Sequence, residues 1–299
     1  MRATSAQQGL WFAHRVAPSP DVFTIGQLID FDGQPDLVRL TAAVHAALDE
    51  ADGLRSRFTE RNGSVIVSLG DAIDVPVREL GGDPDAIDAY AHSAVRVPID
   101  PAAGPCAAIE ILVAGDRIAL LVVAHHIVLD AYGLGLLVRR VDRLYSDPRD
   151  DKRLGSVADL PREPDVGTDA IFWERELDGV HGALTLGSVP RSHRVAADTH
   201  SVSIAVPGAG ALAMSPERLV AAVAAFCART TGTDDVVIGF PMMNRFGSPT
   251  ANVACTTVNV VPLRVAVSPA ATADDLAADA ADGIRRIAPH ARYRGEDIV

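Results

Sequence analysis

Three cysteines in 299 residues, Cys106, Cys227 and Cys255, are too few and too scattered for a disulfide framework. Their number is odd, each lies in an apolar stretch, and no Cys-x-x-Cys or Cys/His ligand spacing accompanies them. Buried reduced thiols are the expectation, and no metal site. Positive charge is also in short supply: 27 Lys and Arg stand against 39 Asp and Glu, a net charge of −12. Nonspecific nucleic-acid affinity comes largely from positive charge, so no nucleic-acid partner is expected. Long hydrophobic runs are missing as well. The longest runs from Ile118 to Ala124 and resumes after two histidines at Ile127 to Leu129, too short to span a bilayer. The opening MRATSAQQGLWF lacks the charged-then-apolar layout of a signal peptide, which points to a cytoplasmic protein with no membrane partner. No Gly-x-Gly-x-x-Gly or Walker loop is present, and no Gly-x-Ser-x-Gly elbow. Ser5 and Ser215 have simpler places, in a terminal segment and at a helix N-cap.

What is present is a chain 48% hydrophobic and 22% charged, enough apolar material for a real core. Its length suits two ordinary domains or one large two-lobed domain. Leu37, Leu40, Val44 and Leu48 recur at helical spacing within Asp36–Ala51. Ala107–Val113 and Arg117–Ala124 read as two strands joined by the turn Ala114-Gly115-Asp116. The second strand is apolar without alternation, as a strand covered on both faces should be. From Gly133 to Tyr145, Leu134, Leu137, Val138, Val141 and Leu144 share a helical face, with Arg139, Arg140 and Arg143 opposite. That basic face reads as solvated, or as a docking patch for an acidic partner. The polar, proline-containing stretch from Ser146 to Asp169 is the expected linker. Beyond it, His200 to Val206 alternates like a strand, and Ser215-Pro216 opens a helix to about Arg229. Val236–Phe240 and Thr256–Val267 are strand-like, and Ala273–Ile287 is helical. The fold class is therefore mixed α/β, two successive α/β halves around a linker, with domains at 1–161 and 169–299.

The sharpest local feature is His125-His126-Ile127-Val128-Leu129-Asp130-Ala131-Tyr132-Gly133, where a buried strand ends and a helix is about to begin. Such places are where α/β sheets display functional groups. Adjacent strand residues point to opposite faces, so one histidine can enter the core while the other faces a cleft. A fully extended chain would hold His126 and Asp130 about 13 Å apart, so a His–Asp dyad needs a sharp turn. Read from the residues alone, a core histidine, an exposed histidine and a helix-start aspartate remain an equal alternative.

Several separated segments, in order, resemble the condensation domains of non-ribosomal peptide synthetases. Ser5-Ala6-Gln7 with Leu10-Trp11 is similar to the family's opening SxAQxxLW motif, and Leu54 to Phe58 to its LRTRF motif. His125 to Asp130 resembles the HHxxxDG motif. Phe172-Trp173, Gly239-Phe240-Pro241 through Arg245, Val258 to Arg264, and His290 to Val299 resemble later segments. The likeness is strongest to the front domains of enterobactin-type siderophore synthetases. It implies two lobes, each of two α+β layers and each like chloramphenicol acetyltransferase, forming a V around a central tunnel. It also implies a family domain that continues past Val299, so the second lobe is incomplete and the chain alone is expected to fold without catalysing.

The resemblance further implies amide formation between a donor acyl or peptidyl thioester and an acceptor aminoacyl thioester. Both would be carried by peptidyl carrier proteins, with an adenylation domain downstream. Phosphopantetheine would arrive on those carriers, and no cofactor would be bound by the domain itself. His126 would be the catalytic histidine, facing the tunnel, with His125 pointing into the first lobe. Asp130 would pair with Arg245 and tie the active-site loop to the second lobe. Ala131, Tyr132 and Gly133 would form that loop. The sequence departs from the motif twice, with Ala131 in place of glycine and Gly133 in place of serine. Alanine resists positive φ, so a changed turn is expected there. The alternatives are a carrier- or coenzyme-A-dependent acyltransferase of the same superfamily, and a non-catalytic interaction module. Heterocyclisation would need aspartates in place of the histidines, and an epimerisation domain would not sit at the front of a chain.

Overall fold

A computed structural model describes residues 1–17, 19–160, 166–180, 186, 215–245 and 249–298. The strand expected over His200–Val206 lies outside the described residues. Contacts divide the chain into two compact units, Met1–Pro164 with Met243–Val258, and Asp165–Met242 with Asn259–Val299. Arg245, expected to come from the second lobe, therefore belongs to the first unit.

In the first unit, α1 (Ser5–Val16) starts from a reciprocal cap. The Thr4 hydroxyl accepts from the Gln7 N–H while the Gln7 side chain accepts from the Thr4 N–H. The glutamine of the opening motif thus holds a helix start. The chain continues through β1 (Thr24–Asp30) and α2 (Leu37–Glu50) to the hairpin of β2 (Ser56–Arg61) and β3 (Ser64–Leu69). It then runs through β4 (Val77–Glu79), α3 (Ala86–Ala94), β5 (Ala107–Ala114), β6 (Arg117–His125) and α4 (Ala131–Ser146).

The main sheet has the order β1-β6-β5-β4, with β4 parallel to β5 and the other pairs antiparallel. The turn between β5 and β6 uses Gly115 at φ +55°, where a side chain is disfavoured. Strand β6 is buried on both faces, as its unbroken apolar run predicts. Ile118, Leu120, Val122 and Ala124 look into a core shared with α1, α2, α4 and the β2–β3 hairpin. Ala119, Leu121 and Val123 meet α3 through Ile87. Trp11 and Phe58 stack in the larger core with centroids 6.3 Å apart.

Two expectations need correction. Arg140 is not on a solvated face; it is 2% exposed and bonds Glu50 at 2.7 Å and Asp150 at 2.5 Å. The stretch after Ser146 is not all linker. Asp52 accepts from the Ser156 hydroxyl at 2.6 Å and the Val157 N–H at 3.0 Å, and Val157 and Leu160 are buried.

The second unit contains α5 (Val166–Glu176), which begins inside the expected linker, then α6 (Pro216–Thr231), β7 (Asp235–Met242), β8 (Asn259–Ala266) and α7 (Ala273–Ile287). Ser215 caps α6 with Pro216 in its first turn, and Gly232 closes it at φ +76°. Strands β7 and β8 pair antiparallel. Val236, Val261, Leu263 and Val265 meet Trp173, Val220, Ala224, Cys227, Ala280 and Ile287 in this unit's core. Arg264 joins Asp235 across the pair at 2.8 Å and reaches the carbonyls of Glu176 and Asp178. Among the described residues no helix is long and apolar enough to cross a membrane.

Candidate active site in the first unit

Strand β6 ends at His125, and the chain turns at once, the Val128 N–H donating to the His125 carbonyl at 3.0 Å. Ile127, Val128 and Leu129 are at most 1% exposed and anchor the turn in the core. His126 therefore lies in a turn, and this separates the two histidines more than strand alternation does.

His125 is fully buried. Its Nδ1 accepts from the Ile127 N–H at 3.0 Å, so in the neutral ring the proton sits on Nε2, which donates to His14 Nδ1 at 3.1 Å. The Phe23 ring stacks on it with centroids 5.7 Å apart. Burial, reinforced by His14 and His126, pushes its pKa down to about 4. It is a neutral structural group through the physiological range.

His126 is half-buried. Its N–H donates to the Phe23 carbonyl at 2.8 Å, and its carbonyl accepts from the Thr256 hydroxyl. Its Nδ1 is buried with no hydrogen-bond partner among the described residues.

Asp130 closes the turn and caps α4, Oδ1 accepting from the Gly133 N–H at 2.7 Å. The Arg245 Nη2 donates to both carboxylate oxygens, at 2.8 and 3.0 Å. Oδ2 also accepts from the backbone N–H groups of Thr257 at 3.0 Å and Val258 at 3.3 Å. The ion pair expected from the resemblance is thus present, 2% and 5% exposed on its two sides. Arg245 Nη1 also donates to the carbonyls of Thr250 and Val253 and Nη2 to that of Cys255, and its guanidinium lies 4.8 Å from the centre of the Tyr132 ring. With Asp130 consumed in this way, no carboxylate among the described residues meets His126 Nδ1. The sharp turn occurs, and the aspartate still serves another partner.

Ala131, Tyr132 and Gly133 are not a loop. They form the first turn of α4, directly after the Asp130 cap. Ala131 is exposed and is not among the residues with positive φ, so the motif's glycine is not required there. Gly133 is required for a different reason. A Cβ there would stand 2.7 Å from the Cys255 carbonyl oxygen and 2.9 Å from its nitrogen. The backbone at Cys255 passes too close to admit a side chain without a shift. Cys255 is fully buried in this contact, and burial pushes its thiol up to about 12, out of reach of nucleophilic chemistry.

Sequence reasoning missed His14 and the threonines of 256–257. His14 sits in the last turn of α1, whose helical pattern alone gives no sign of a histidine partner on β6. Among the described residues, no three His, Cys, Asp or Glu side chains converge as metal ligands.

A family model described as the condensation domain matches residues 1–299. The chain is similar to a dimodular nonribosomal peptide synthase of Bacillus subtilis (strain 168), with 27% identity over 99% of this chain and 14% of that protein. It is similar to enterobactin synthase component F of Escherichia coli (strain K12), with 24% identity over 99% of this chain and 25% of that protein. Among solved structures it is similar to a variant of the starter condensation domain of rhizomide synthetase in complex with C8-CoA. That likeness has a TM-score of 0.86 and 26% identity, covering 99% of this chain and 73% of that one. The chain thus spans about a quarter or less of the length of these curated relatives.

Proposed function

The chain belongs to the condensation-domain family of non-ribosomal peptide synthetases, whose members are acyltransferases that form amide bonds, and from that premise we propose that it joins a donor acyl group to an acceptor amino acid, with His126 as the catalytic residue. The relatives are multidomain synthetases, which implies carrier-protein partners. In the proposed reaction both substrates arrive as thioesters on the phosphopantetheine arms of donor and acceptor carriers. An adenylation domain loads the acceptor carrier, and the setting is the cytoplasm. The acceptor amine attacks the donor thioester carbonyl. A C–N bond forms, the C–S bond breaks, and the departing thiol takes up the proton that the amine loses.

The observation that carries this reading is the division of labour between His126 and Asp130, the two groups of the turn. Asp130 is spent on Arg245, two backbone N–H groups and the cap of α4, so it holds the turn in place. His126 remains half-exposed, with its main chain held at both N–H and carbonyl. An imidazole in that setting can orient the attacking amine and take its proton for transfer, and orientation alone contributes heavily to a bimolecular reaction. His125 and Arg245 are structural supports in this scheme, and Ala131, Tyr132 and Gly133 frame the turn as the start of α4.

A second reading concerns the donor alone. The likeness to a starter domain solved with C8-CoA favours a fatty acyl group delivered from coenzyme A or a carrier. One experiment separates these. The polypeptide carrying this chain is mixed with an aminoacyl-loaded acceptor carrier and either an acyl-loaded donor carrier or octanoyl-CoA, and products on the acceptor arm are read by mass spectrometry. Amide product with the carrier donor, lost in His126→Ala, is expected. Product from octanoyl-CoA alone would replace the carrier donor. No amide product with either donor would leave the interaction module as the function.

A further inference from the structure

We propose that Thr256 is a positioning residue that sets the place of His126; the inference rests on the reading of His126 as the catalytic group. Three consecutive residues, Thr256 to Val258, bond the His126–Asp130 turn at two separate points, and Cys255 before them holds Arg245. At the far end of the turn, the Cys255 carbonyl holds Arg245 and the N–H groups of Thr257 and Val258 hold Asp130. At the near end, the Thr256 hydroxyl donates to the carbonyl of His126 itself.

Thr256 is fully buried, and its hydroxyl is the group from this segment that reaches His126. The His126 N–H is already committed to the Phe23 carbonyl. The peptide units on both sides of the His126 Cα are therefore fixed by partners distant in the chain. No such restraint is seen at the ring's Nδ1, which meets no polar partner among the described residues. In the usual arrangement a histidine that moves protons is aimed by a carboxylate or carbonyl at its other ring nitrogen. Here the aim comes through the main chain, from a side-chain hydroxyl 130 residues later in the sequence. Because Arg245 and Asp130 do not involve that hydroxyl, the turn keeps its anchor when it is removed, and only the register of His126 is released.

The test compares Thr256→Val, which puts a methyl where the hydroxyl stands, with Thr256→Ser, which keeps the donor. Thr256→Ala is the second variant should valine not fold. Two readouts are used, condensation kinetics with loaded carriers and the imidazole resonances of the histidine-labelled chain, His126 being assigned by His126→Asn. Loss of the hydroxyl is expected to lower kcat about 10- to 100-fold with KM within about twofold, the size of effect that a misplacement of about 1 Å produces. The His126 resonance should shift or broaden while that of His125 stays. Serine should restore both. An unchanged His126 resonance in Thr256→Val and Thr256→Ala, or serine as impaired as valine, would overturn the proposal. A wild-type protein that forms no amide would overturn the function reading instead, and the resonances would still decide the role of Thr256.

Discussion

Replacing Asp130 by alanine leaves a guanidinium 2% exposed with its anionic partner gone, and the size of the damage can be worked from its contacts. The variant loses the N-cap of α4, worth about 1 kcal/mol. It leaves the N–H groups of Thr257 and Val258 without their acceptor, each at about 1–3 kcal/mol if water does not replace it. It strands the Arg245 charge, and breaking a buried pair by removing one member costs about 3–5 kcal/mol. These terms overlap and do not add, because Arg245 keeps the carbonyls of Thr250, Val253 and Cys255. The total should fall near the cost of the stranded charge, about 3–5 kcal/mol, which for a unit of this size lowers Tm by about 6–20 °C. Asp130→Asn keeps the shape and one acceptor oxygen and should lose roughly half as much. Adding Arg245→Met to Asp130→Ala removes the orphan charge but leaves the carbonyls of Thr250, Val253 and Cys255 without their donor, so the double variant should cost about 0.5–3 kcal/mol less than the two single variants summed. Thermal and urea melts of the five proteins, Arg245→Met included, make the comparison. An Asp130→Ala melt within about 1 °C of wild type, or a double variant that costs as much as the two singles summed, would refute the reasoning.

Gly133→Ala should lose about 1–3 kcal/mol in a urea melt, because its Cβ would stand 2.7 Å from the Cys255 carbonyl and the backbone must shift. Burial pushes the Glu50 carboxyl up, but hydrogen bonds from Arg140 and the Leu154 N–H outweigh it and hold the group below its usual range. Its contribution is therefore complete above about pH 4.5 and is lost as pH falls through the lowered value, so Arg140→Met should flatten that acid limb of a stability–pH profile. His125, held down to about 4, works in the opposite sense to a salt-bridged histidine. The unfolded chain binds the proton first, so stability is full above about pH 6.5 and falls by up to about 3 kcal/mol toward pH 4. His125→Phe should remove that slope in denaturation measured at pH 7 and pH 5.

Much of the first unit was legible in local pattern. The unbroken apolar run of β6, the turn at Gly115 and the 3.6-residue spacing of α2 and α4 are short-range signals, and short-range chemistry decides them. What was misread depended on partners far along the chain. Arg140 shares the spacing of Leu137, Val141 and Leu144, so it lies on the buried face, but its charge suggested solvent. Glu50, which makes its burial tolerable, is 90 residues away. Ala131 to Gly133 was read as a loop because the resemblance to the motif implied one, whereas the helical pattern was read only from Gly133 onward. The reason for Gly133, a backbone passing beside it, is invisible without the fold. In the candidate site, His126, Asp130 and Arg245 were legible through resemblance and motif order. Thr256 and His14 carried no motif, and only the fold brings them to the two histidines.

Segment 243–258 has a consequence for the order in which the protein can be finished. Asp130 leaves the ribosome long before Arg245, Thr256 and Val258, which lie up to 128 residues later. At about 5–20 residues per second, roughly 6–26 s of synthesis separate the two. During that interval the β6 sheet and its helices can assemble, but the carboxylate at the head of α4 lacks the cation and N–H groups that will later meet it. The nascent first unit is thus a protein waiting for its last strap. A chaperone that shields the head of α4, or a pause in translation after Val258, would act on that intermediate rather than on the finished protein. A nascent chain stalled with Leu160 past the exit should show His126 and its neighbours open to exchange, and one stalled with Val258 past the exit should show them closed.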